Sequence, residues 1–142
     1  MERATLERLL ADQATGTPVR FPAGAYLFRE GETADRLLLM RSGRVALELL
    51  VPGRGPLIID TIRDGQALGL SWIGPPRRWQ FDARALEPVE AVAFDGAALL
   101  AACERDPRLG YQLTLRLAEV MLRRMQSARL RLIDLYGHAD AS

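Results

Sequence analysis

The chain has no lysine, one cysteine and one histidine in 142 residues, and the last two shortages each remove a class of chemistry. A single cysteine, Cys103, rules out an intramolecular disulfide framework and any iron–sulfur cluster held by the thiolates of one chain. A single histidine, His138, leaves neither a second imidazole nor a companion cysteine at zinc-site spacing, and no axial pair for haem within one subunit. It also lies in Gly137-His138-Ala139-Asp140, beyond the last expected helix, a frayed place from which to build a Ser-His-Asp relay. No run approaches the roughly twenty apolar residues that span a bilayer. The opening Met1-Glu2-Arg3-Ala4-Thr5-Leu6-Glu7-Arg8 carries acids where a secretory signal has an apolar core. A cytoplasmic protein without a membrane segment is the expectation. The formal net charge of +1 gives no overall field toward nucleic acid or acidic lipid. Cys103, among Leu99, Leu100, Ala101 and Ala102, reads as a small buried hydrophobe. Asp60, Asp64 and Asp82 read as turn and strand-face carboxylates, not as an acid–base dyad. The sum of these absences points away from an enzyme.

What is present fits one globular domain over residues 1–142: 49% apolar and 26% charged, with all 19 fixed cations arginine. Three zones follow from periodicity. In residues 1–17, Leu6, Leu9 and Leu10 put an apolar stripe on a short helix ending near Gln13, which Thr15-Gly16-Thr17-Pro18 breaks. Residues 18–95 change to strand patterning. Tyr26 and Phe28 alternate with Leu27 and Arg29, and Leu37, Leu39, Val45, Leu47 and Leu49 run either side of a Ser42-Gly43 turn. Pro52-Gly53-Arg54-Gly55-Pro56 is a hairpin tip, Leu57 to Ile62 a strand, and Asp64-Gly65 a turn. Short strands through Phe81, Ala83 and Ala85, then Val89 to Phe94, complete a barrel or roll.

The third zone, residues 96–142, is helical, with a C-terminal tail. Asp95 caps a helix over Ala97 to Cys103, and Asp106-Pro107 opens a long helix expected to end at Tyr136, with Gly137 stopping it. Along it Ala118, Met121, Met125, Ala128, Leu132 and Leu135 recur in alternating steps of three and four, an a/d seam that predicts a homodimer. Leu109, Leu113, Leu117 and Val120 form a neighbouring face suited to the barrel. Arg123, Arg124, Arg129 and Arg131 give this helix a basic flank, read as a solvated face.

The β-zone contains one stretch that reads as a cradle for something small, Ala67-Leu68-Gly69-Leu70-Ser71-Trp72, followed by Arg77-Arg78-Trp79-Gln80. Phe21 to Glu32, Leu37 to Met40, Ser42-Gly43-Arg44-Val45, Asp64 to Gly69 and Arg84-Ala85-Leu86-Glu87-Pro88 together resemble the cyclic-nucleotide-binding domain of the CRP/FNR family. Gly24, Gly31, Gly43, Gly65 and Gly69 fall at that family's β-roll corners. The resemblance implies an antiparallel, jelly-roll-like β-roll, mainly β with flanking helices, whose last helix often pairs two subunits.

The resemblance also implies a phosphate cassette, here residues 67–80. In the family it starts with glycine and glutamate at the N-terminus of a short helix and reaches an arginine and a small residue about ten positions on. The helix end and the arginine share the cyclic phosphate's charge, and the glutamate accepts from the ribose. Gly69 keeps the glycine. Leu70 stands in the glutamate's place, Trp79 in the arginine's and Gln80 in the small residue's. Ser71 is expected as a local helix cap. Two ways of rebuilding the site stay open: Arg77 or Arg78 swings in as the missing cation, or Trp72 and Trp79 form stacking walls for a flatter, less charged ligand. A third outcome is that the tryptophans fill the pocket themselves. The family's base contact from the long helix maps onto Arg124 to Arg129, where Ser127 supplies the neutral hydroxyl.

A small-molecule sensor domain with no cofactor is therefore expected, its pocket taking a small ligand other than standard cAMP, or a cyclic nucleotide such as cAMP or cGMP held in a non-standard way. A ligand-free interaction module, or a small subunit of a larger complex with a protein partner, is the competing class. Because the sequence ends at Ser142, no recognition helix and no direct DNA binding are expected; transcriptional regulation would need a partner that supplies that module.

Overall fold

The computed structural model describes residues 6, 8–10 and 16–141, with side chains through residue 134. Two four-stranded antiparallel sheets face one another. Their strands are β1 (Thr17–Phe21), β2 (Tyr26–Phe28), β3 (Arg36–Ser42), β4 (Val45–Val51), β5 (Gly55–Ile62), β6 (Ala67–Leu68), β7 (Asp82–Ala85) and β8 (Val89–Asp95). One sheet has the order β1-β8-β3-β6 and the other β2-β7-β4-β5. The mainly-β roll expected from the sequence is therefore the fold.

Burial explains the pairing. Leu37, Leu38, Leu39 and Met40 of β3 are all buried, as are Val45, Ala46 and Leu47 of β4. A strand buried on both faces reads as a continuous apolar run and takes an interior or covered position in its sheet. Strand β3 sits between β8 and β6, and β4 between β7 and β5. The glycine-rich segment after Val51 closes the β4–β5 hairpin, with Val51 opposite Gly55.

The helices close the roll at its end and side. Helix α1 (Gly96–Arg105) starts one residue before the expected span and ends two after it; Asp95 caps it by accepting from the Ala98 N–H at 2.9 Å. Helix α2 (Pro107–Ala141) follows, and Asp106 Oδ1 accepts from the Arg108 and Leu109 N–H groups at 3.2 and 3.3 Å. Leu109, Leu113, Leu117 and Val120 are buried, the face assigned to the barrel. Gly137 does not stop α2, which stays helical through Ala141. An interior glycine costs a helix only about 1 kcal/mol, and no proline or cap residue after it ends the run. Leu6 and Leu10 are helical and buried, while Gln13, the expected end of that segment, lies outside the described residues.

Candidate functional site

The turn before β3 and the loop between β6 and β7 are laced together, and this fixes the cassette. The Trp79 carbonyl accepts from Gly31 N–H at 2.8 Å, Trp79 N–H donates to Glu32 at 2.9 Å, and the Arg77 carbonyl accepts from Ala34 N–H at 2.8 Å. Thr33 and Arg78 form an isolated antiparallel bridge. Paired in this extended way, neighbouring side chains alternate. Trp79 goes inward and is 4% exposed, while Arg78 and Gln80 are exposed.

Inside, the Trp79 ring stacks on Phe28, with centroids 3.9 Å apart and planes 13° from parallel. Gly69 makes room for it. Gly69 has φ +89°, and a Cβ there would lie 3.0 Å from the edge of the Trp79 ring and 2.9 Å from the Arg36 carbonyl oxygen. Gly69 thus admits an indole.

Between the sheets and α2 lies a cavity of about 460 Å³. Phe28, Trp79, Phe81 and Leu47 line it from the roll, and Leu68, Gly69, Leu70, Ser71 and Gln80 from the cassette. Met121, Met125 and Ala128 of α2 form the opposite wall, and Ile59, Asp60 and Arg124 complete the lining. Nearly all of this surface is carbon. The charges are one ion pair, Asp60 Oδ2 to Arg124 Nε at 3.7 Å, both side chains being about four-fifths buried. Arg124 also donates through a terminal nitrogen to the Ala67 carbonyl.

Of the expected site residues, Gly69, Leu70, Ser71, Trp79 and Gln80 come together here. Trp72, Arg77, Arg78 and Ser127 do not line the cavity. Trp72 is 3% exposed but packs against Gly96 at the start of α1, and its indole N–H donates to the Gly69 carbonyl at 2.8 Å. With Arg77 it borders a second depression, shared with Asp35, Asp95 and Glu104. Arg77 donates to the Trp72 carbonyl at 3.2 Å and Arg78 to the Gly31 carbonyl at 2.9 Å, so neither guanidinium swings into the cavity. Nor is Ser71 a helix cap. Residues 69–80 form turns and no helix, with Ile73 N–H bonded to the Leu70 carbonyl at 3.2 Å, and no helix N-terminus faces the cavity from this loop.

The structure adds to the reading of α2. Met121, Met125 and Ala128, half of the expected dimer seam, line the cavity. Met125 is nonetheless 64% exposed, Leu132 is exposed and Ala118 half-buried; the side chain of Leu135 lies outside those described. Arg124 is not part of a solvated flank, and Asp60 is a strand-face carboxylate that opens onto the cavity. A signal for both existed. Asp60 interrupts the apolar run of β5 and Arg124 sits next to the barrel-facing register of α2, but nothing in the sequence pairs them.

Elsewhere burial raises the Cys103 thiol above its ordinary pKa, with Asp106 adding to the effect, as suits a packed and unreactive thiol. Among the described residues no group of three or more metal-binding side chains occurs, and no helix is long and apolar enough to cross a membrane.

Two antiparallel four-stranded sheets with a ligand-sized cavity under a C-terminal helix define a β-roll domain of the cyclic-nucleotide-binding type. A family model of the cyclic nucleotide-binding domain matches residues 18–106, and the chain belongs to that family. The CRP-like cAMP-activated global transcriptional regulator of Mycobacterium tuberculosis is 30% identical over 118 residues, which are 83% of this chain and 51% of that protein. The chain thus spans about half the length of the curated relatives it matches. A solved protein of Geobacter metallireducens, described as cyclic nucleotide-binding, is 27% identical with a TM-score of 0.71, covering 87% of this chain and 96% of that one. A cyclic nucleotide-binding domain from Methylobacillus flagellatus reaches a TM-score of 0.79 at 21% identity, covering 92% of this chain and 72% of that one, a likeness of fold.

Proposed function

We propose that this chain is a regulatory sensor domain whose pocket takes a small, ring-bearing ligand in place of a cyclic nucleotide seated by its phosphate. The observation that carries the reading is Trp79 stacked on Phe28 over Gly69. In the register that the resemblance gives, Trp79 stands where the family has the arginine that holds the phosphate. A buried phosphate without a charged partner costs several kcal/mol in uncompensated desolvation. In the same register Leu70 stands in the glutamate's place, and it lines the same cavity.

The mechanism is a shift of population. The cavity lies between the cassette and α2, so a ligand that touches both favours one helix position over another and alters the surface offered to a partner. Exposed Leu115, Leu122, Met125 and Leu132 on α2 support a homodimer as that surface.

Calorimetry on the purified chain tests the pocket. cAMP and cGMP are expected to give little or no heat, and Leu70→Glu combined with Trp79→Arg to create a measurable cAMP signal. Micromolar cAMP binding by the unaltered chain that survives Trp79→Ala would overturn the reading. A metabolite screen by thermal shift is expected to yield a stabiliser whose effect falls in Trp79→Ala; a screen without hits alongside a reproducible protein partner favours the ligand-free interaction module. For the dimer, sedimentation is expected to show a two-chain species that Met125→Glu dissociates.

A further inference from the structure

We infer that Asp60 sets the charge class of the ligand: by neutralising Arg124 it makes the cavity select a neutral ring compound carrying a hydrogen-bond donor beside an acceptor, such as a primary amide or lactam, over an anion of the same shape. The inference rests on the sensor reading above and names the ligand class for the same cavity.

Among the described residues the cavity lining holds one carboxylate and one guanidinium, so its fixed charge sums to zero. Both are anchored. Asp60 Oδ1 accepts from the Thr61 N–H at 2.9 Å while Oδ2 faces Arg124 Nε at 3.7 Å, and Arg124 reaches past it to the Ala67 carbonyl. The cassette arginines offer no relief, since Arg77 and Arg78 donate to the Trp72 and Gly31 carbonyls outside the cavity.

A carboxylate or phosphate entering this carbon-lined space would leave one negative charge uncompensated, with Asp60 repelling it at short range. A neutral group with a donor next to an acceptor meets no such penalty. Its acceptor takes an N–H of Arg124 and its donor gives to Asp60, which leaves the ion pair's charge balance intact. The remainder of the ligand is specified by shape. Phe81 and the stacked pair of Trp79 and Phe28 supply aromatic lining, and Met121 and Met125 supply adaptable thioether walls.

The test uses an isosteric pair, 2-naphthamide and 2-naphthoate, titrated into the full chain and followed by NMR at the Trp79 indole N–H and the Arg124 Nε–H. The unaltered chain is expected to bind the amide about tenfold or more tighter than the acid. Asp60→Asn is expected to strengthen naphthoate binding about tenfold and to weaken the amide, which loses its charged acceptor, so that the amide-to-acid ratio falls about tenfold or more. Arg124→Gln provides the opposite arm, weakening naphthoate below detection and the amide by less, because the glutamine N–H can still donate to it, so the inference does not hang on one variant's folding. Equal affinities in the unaltered chain, or an amide-to-acid ratio that Asp60→Asn leaves unchanged, overturn this inference alone, because a bound amide still supports a ring-accepting pocket. If no probe perturbs Trp79 in any folded variant, the inference and the sensor reading fall together.

Discussion

Of the arginine–carboxylate pairs among the described residues, Glu48–Arg84 and Asp60–Arg124 differ most in what their ends are attached to. Glu48 and Arg84 lie on neighbouring strands β4 and β7, joined by two hydrogen bonds of 3.0 and 3.1 Å, with Glu48 only 2% exposed. Hydrogen bonding to Glu48 and its charge hold the Arg84 guanidinium even more firmly protonated than usual. Asp60 and Arg124 instead join strand β5 to helix α2, at 3.7 Å, beside the cavity. The first pair spans elements that a backbone ladder already aligns; the second spans a seam that side chains alone hold. Identical chemistry thus serves the frame in one place and the join between roll and helix, beside the cavity, in the other.

The largest expected effect falls on the frame. Arg84→Ala leaves the Glu48 carboxylate buried without its cation, and breaking a buried pair in this way costs about 3–5 kcal/mol. Urea unfolding followed by tryptophan fluorescence measures it. A loss below about 1 kcal/mol would mean that Glu48 rehydrates freely, and the contrast between the two pairs would disappear.

The cavity wall is expected to come next. Gly69→Ala puts a side chain at φ +89°, where its Cβ meets the Arg36 carbonyl oxygen at 2.9 Å and the Trp79 ring at 3.0 Å. A non-glycine residue held there costs about 1–3 kcal/mol. Thermal unfolding reads the loss, and a shifted Trp79 emission reports that the ring has been displaced. Unchanged stability and emission would show that the cassette yields easily and belongs with the cavity side of the comparison.

How much of this was legible in the sequence follows the same division. The frame was: apolar runs such as Leu37 to Met40, turn glycines and the Asp95 and Asp106 caps are local signals, and each formed the element it marks. The cavity was legible only in part. Trp72 and Trp79 look equivalent as letters seven positions apart, yet one packs on α1 and the other stacks on Phe28, because only the second lies in the stretch bridged to residues 31–34. Asp60 and Arg124 are separated in sequence by three strands and helix α1 and meet only when α2 docks, so no spacing rule links them. The α2 heptad pattern was ambiguous for a physical reason as well. Methionines at positions 121 and 125 satisfy a partner helix and a cavity wall equally well.

The smallest expected effect sharpens the comparison from its cavity side. Arg124→Gln removes the ion pair with Asp60 and the bond to the Ala67 carbonyl, while Arg131 still reaches the Ile58 carbonyl at 3.3 Å further along α2. Each partner is part-exposed and can rehydrate, so the global loss is expected to be about 1–2 kcal/mol, less than that of Arg84→Ala. The informative readout is where the loss appears. Hydrogen exchange is expected to quicken in α2 around Met121 to Arg131 and along β5, with the β4–β7 ladder unchanged. If exchange rises uniformly through both sheets, Arg124 belongs to the frame after all. The helix would then move only when the whole roll opens, leaving a ligand in the cavity no separate boundary on which to act.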